Sequence, residues 1–102
     1  MGFRIVAGAR RDFRGSIAWY EREAGLGAKF IAAVESAFCR IANEPETLPS
    51  AENPWPSRGR DIRRCPVDGF PYQVFFEIRP DELVVLAVAH GSRRPGYWAR
   101  RR

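Results

Sequence analysis

Cysteine, histidine and lysine are all scarce in this chain of 102 residues, and each scarcity excludes something. Two cysteines, Cys39 and Cys65, are too few for a disulfide framework. One histidine, His90, with no Cys-x-x-Cys pair leaves no recognisable zinc site. There is no glycine-rich phosphate loop and no nucleophile motif either, so no metal and no cofactor are expected, and a metabolic enzyme is a poor reading. No apolar run approaches the roughly 20 residues of a membrane span. Met1-Gly2-Phe3-Arg4 does not open the basic, apolar and small-residue order of a signal peptide, so export is not expected. The expectation is a cytoplasmic protein with reduced thiols and no membrane partner. With 45% hydrophobic residues and no internal repeat or low-complexity tract, the chain should fold as one domain over residues 1–102.

What the chain has in excess is arginine, and it is unevenly placed. The net charge is +5, and Lys29 is the one lysine among 17 basic residues. Residues 1–57 balance, with seven basic against seven acidic side chains, while residues 58–102 hold ten arginines against five acids. Two clusters account for most of this: Arg58, Arg60, Arg63 and Arg64, then Arg93, Arg94, Arg100, Arg101 and Arg102. Such clusters suit a polyanion or an acidic protein partner, unless they simply fill solvated positions.

Phe3, Ile5 and Ala7 alternate with Arg4 and Val6, the period of a short strand. From Arg10 to Ala24 the residues Phe13, Ile17, Tyr20 and Ala24 form a helical stripe, with Asp12 in the first turn and Gly15 costing about 1 kcal/mol. Gly25-Leu26-Gly27 interrupts, and Phe30, Val34, Ala37, Phe38 and Ile41 carry a second stripe until Pro45. So short a link makes the two helices an antiparallel hairpin. Pro45, Pro49, Pro54 and Pro56 mark an ordered loop pinned by Trp55. A strand at Asp61–Cys65 then meets a two-residue hairpin turn at Asp68-Gly69. Tyr72, Val74, Phe76 and Ile78 line one face of the next strand, and Pro80-Asp81 turns the chain again. Leu83 to His90 is apolar on both faces and must be central in its sheet. The fold class is α+β, in the order β-α-α-β-β-β, with a helical hairpin on one face of a mostly antiparallel sheet.

The richest segment runs from Ala87 to Arg100: His90 at a strand end, Arg93 and Arg94 in the next turn, Tyr97 and Trp98 past a Pro95-Gly96 corner. Loops at strand ends display polar groups to ligands. In the plainer alternative His90 caps its strand, and Tyr97 and Trp98 fold back over the sheet edge. Taken in order, several stretches resemble the RelE/ParE superfamily of bacterial toxins, its ParE-like branch in particular. They are Trp19-Tyr20, Gly25-Leu26-Gly27, Phe70-Pro71-Tyr72, Val88-Ala89-His90, Arg93-Arg94-Pro95 and Tyr97-Trp98.

That resemblance implies a growth-inhibiting toxin neutralised by a co-encoded antitoxin of the ParD or RelB kind. ParE-like members are associated with poisoning DNA gyrase, which asks for a binding surface; the residues expected to provide it are Arg93, Arg94, Tyr97, Trp98 and Arg100. RelE-like members cleave mRNA on the ribosome, and the candidates for that chemistry are Arg64, His90, Arg93 and Tyr97. The RelE-like site relies on several lysines and arginines around the middle of the sheet, and this sequence has no lysine there, although its arginines could fill purely electrostatic roles. On the pattern of the ParE-like resemblance gyrase is the expected target, and ribosome with mRNA the alternative.

Overall fold

The structure, a computed structural model, describes residues 1–51, 59–94 and 96–102; Pro54, Trp55, Pro56, Arg58 and Pro95 lie outside the described residues. Its elements are β1 (Gly2–Ile5), α1 (Ala7–Ala24), α2 (Gly27–Asn43), a 3-10 turn (Pro45–Thr47), β2 (Asp61–Pro66), β3 (Tyr72–Ile78) and β4 (Glu82–His90). The order is β-α-α-β-β-β, as the patterning requires. In the sheet the strands lie β1-β4-β3-β2, with β4 central, antiparallel to β3 and parallel to β1.

Two boundaries differ from the sequence reading. Ala7 belongs to α1 rather than to the first strand, because Val6 is the last residue in extended backbone and its N–H already closes onto Val85. Helix α1 thus begins a turn earlier than Arg10, and Asp12 lies beyond the first turn, too far in to be explained by the helix dipole. The second difference is the turn between β2 and β3. Only Gly69 adopts positive φ, at 82°, and the Phe70 N–H bonds the Val67 carbonyl at 3.2 Å. A type I′ hairpin would need positive φ at Asp68 as well, so the chain takes a wider loop over residues 67–71.

The helical hairpin closes at Gly25, whose φ of 66° is the left-handed cap that a glycine adopts without strain, and the Glu21 carboxylate accepts from the Gly27 N–H. Phe30 is fully buried between Tyr20, Phe70 and Tyr72. These rings, with Val34, Ile41, Val74 and Phe76, fasten the hairpin to one face of the sheet. The opposite face, by strand alternation, carries Gln73, Phe75 and Glu77. It is covered by the tail: Trp98 stacks on Phe75 with ring centroids 4.5 Å apart and is 1% exposed.

Candidate functional site

Strand β4 leaves the sheet at His90, and a run of tight turns brings the chain back. The Gly91 N–H bonds the Pro71 carbonyl at 2.8 Å, the Arg93 N–H bonds His90 at 3.0 Å, and Gly96 redirects the backbone at φ 73°. The returning tail and the sheet enclose a cleft of about 230 Å³, floored by Phe75, Ala89 and Trp98, with His90, Arg93, Arg94 and Tyr97 around it. One cluster of the sequence thereby converges on one place. Arg93 and Arg94 are exposed, and neither meets a carboxylate within ion-pair distance among the described residues.

Arg93 is nevertheless held. Its guanidinium carbon stands 4.0 Å above the centre of the Tyr97 ring, close enough for cation–π attraction. Arg101 approaches the same ring at 5.0 Å. The Tyr97 hydroxyl donates to Asp12 Oδ2 at 3.0 Å, and burial, together with the charge and hydrogen bond of Asp12, pushes the phenol up to about 12. It therefore keeps its proton throughout the physiological range. His90 Nδ1 accepts from the Ser92 N–H at 2.9 Å, which places the neutral ring's proton on Nε2, and the ring meets the edge of Tyr72.

The remaining sequence candidates fall elsewhere. Trp98 underlies the floor of the cleft but is only 1% exposed, so its main part is to hold the tail down, because so large a ring is most stable away from water. Arg100 is exposed outside the cleft. Arg64 sits opposite Phe75 in the sheet register, on the cleft's face but not in its lining. Three further residues escaped the sequence reading. Gln73 lines the cleft with a buried Oε1 that has no hydrogen-bond partner. Trp19 is 51% exposed beside a second cleft of about 310 Å³ on the helical side, which also reaches His90. Asp12, treated as a helix-end charge, proves to be the anchor of the tail. Among the described residues no group of three His, Cys, Asp or Glu side chains could hold a metal ion, and no helix is long and apolar enough to cross a membrane.

Compared with protein families, residues 4–95 match the family described as the ParE toxin of the type II toxin–antitoxin system parDE. The chain belongs to the ParE toxin family. A search of curated proteins finds no match. Among solved structures, this ParE chain is similar to one titled "Chromosomal ParDE TA system from P. aeruginosa", with a TM-score of 0.73 and 13% identity, covering 88% of this chain and 95% of that one. At that identity the likeness speaks for the fold. The family match takes in the hairpin, the sheet and the Arg93-Arg94 turn, while Tyr97, Trp98 and Arg101 of this ParE lie beyond it.

Proposed function

We propose that this ParE toxin stops bacterial growth by binding DNA gyrase through the cleft at the end of β4, and that a co-encoded antitoxin neutralises it in the cytoplasm. The observation that carries this reading is the pair Arg93 and Arg94, exposed and without acidic partners over a preformed apolar floor. Cations without internal anions on a rigid base favour an acidic surface or a polyanion. The geometry is less suited to RNA cleavage. A phenol at about 12, tied to Asp12, is a poor group to exchange protons near neutrality, and His90 is left without a second proton-moving partner in the cleft. Exposed Trp19 and the aromatic cleft beside it give the antitoxin an apolar anchor on the helical face.

The test is a supercoiling assay with purified gyrase and the isolated toxin, repeated after adding the product of the neighbouring gene. Inhibition that the antitoxin reverses is the expected result. Unimpaired gyrase, together with cleaved mRNA on translating ribosomes, would move the function to the nuclease reading.

A further inference from the structure

Strand β1 ends at Ile5, so β4 loses its parallel neighbour beyond Val85 and its edge must be satisfied by other groups. Two side chains take over. Asp12 Oδ2 accepts from the Val88 N–H at 3.2 Å, and Arg101 Nη1 donates to the Leu86 carbonyl at 3.0 Å. The two are joined to each other at 2.8 Å. Asp12, 7% exposed, thus receives three donors on one oxygen: Val88, Tyr97 and Arg101. Arg101 reaches this position only because residue 8 is glycine; a Cβ there would stand 2.5 Å from its Nε.

We propose that Asp12 and Arg101 are positioning residues for Arg93: they fix the Tyr97 ring, and the ring fixes the guanidinium at the rim of the cleft. The proposal rests on the reading of that cleft as the surface that meets the target. Each link is short and directional. The carboxylate holds the hydroxyl, so the ring cannot swing away from the tail; the ring face, flanked by two guanidinium groups, offers Arg93 a fixed seat. An arginine that would otherwise sample many rotamers then meets its target already oriented, which lowers the ordering cost of binding. Because the Tyr97 hydroxyl keeps its proton, the tether does not depend on physiological pH.

The test follows the Arg93 side-chain protons by NMR. In the natural chain they should be shifted upfield by the Tyr97 ring current, and Y97L, which removes the ring, should abolish the shift and so assign it. In D12N the shift should collapse toward solvent values while circular dichroism still shows a folded protein, and half-inhibition of gyrase should require about tenfold more toxin. If D12N does not fold, Y97F serves instead, since it keeps the ring and removes only the tethering hydroxyl. A merely structural Asp12 would lower the melting temperature and leave Arg93 on its ring; an unchanged Arg93 shift in a folded D12N or Y97F protein overturns the proposal. Failure of the underlying reading looks different: R93A would then inhibit gyrase as well as the natural chain, whatever the spectra show.

Discussion

Arg60, just before β2, and Arg63, within it, end on carboxylates and backbone carbonyls, whereas Arg93 and Arg94, from the turn after β4, end on neither. Arg60 donates to Glu77 at 2.9 Å and to the carbonyls of Ala99 and Arg101, and both members of the pair are almost fully buried, at 11% and 8% exposed. Arg63 donates to Asp61 and to the carbonyls of Glu46 and Leu48. Arg60 and Arg63 are thus internal wiring that ties loop, sheet and tail together. Arg93 and Arg94 are left facing outward, although Arg101 of their own cluster is tied to Asp12. Clustered arginines are indistinguishable by count, and what separates one from another is whether the fold supplies the anion.

The sharpest way to break this contrast is Arg60→Ala. It would strip Glu77 of one of its two guanidinium partners in a buried site and release two tail carbonyls, so a loss of about 3–5 kcal/mol in urea denaturation is expected. An unchanged midpoint would mean that Arg60 is no more structural than Arg93 and Arg94. Acid titration probes the same pair. Burial pushes the Glu77 carboxyl up, but the hydrogen bonds and charges of Arg60 and Arg79 outweigh it and hold the group below its ordinary 4.5. Its stabilising contribution is therefore present above that ordinary value and lost as pH falls through the lowered one, and Glu77→Gln should flatten the acid limb of the melting temperature.

Trp98→Ala tests the tail from the other side of the contrast, since the ring beneath the cleft floor carries much of the tail's docking. A cost of about 3 kcal/mol or more is expected, read as a lower melting temperature. Two glycines of α1 sharpen the comparison at smaller scale. Gly15→Ala, with open space around it, should stabilise the helix by about 0.4–1 kcal/mol. Gly8→Ala, against Arg101, should instead destabilise by about 1 kcal/mol or more. The smallest stability effect belongs to Arg93→Ala with Arg94→Ala, within about 0.5 kcal/mol, although growth inhibition should vanish. A double variant that remains toxic at equal expression would place the target surface elsewhere.

Periodicity made the fold legible. The stripes of Phe13, Ile17 and Tyr20 and of Phe30, Val34 and Ile41 are helical because burial demands that spacing, and a strand apolar on both faces had to be central. The convergence of His90, Arg93, Arg94 and Tyr97 was legible for a similar reason, since they are neighbours in sequence. Asp12 was not. Its partners Val88, Tyr97 and Arg101 lie 76 to 89 residues away, and a carboxylate beside arginines early in a helix reads as a dipole effect until the missing strand edge is seen. Asp68-Gly69 does form the tip of the turn, but a local signal cannot reveal that the connection extends to residues 67–71.

The bond between residues 12 and 101 also sets an order in time. At the usual rate of about 5–20 residues per second, roughly 4–18 s separate the synthesis of the carboxylate from that of the guanidinium. Through that interval α1 is already made, while β4 and the seat of Arg93 are completed only towards its end. The clasp, and with it the rim of the cleft, cannot form before residue 101 has been made.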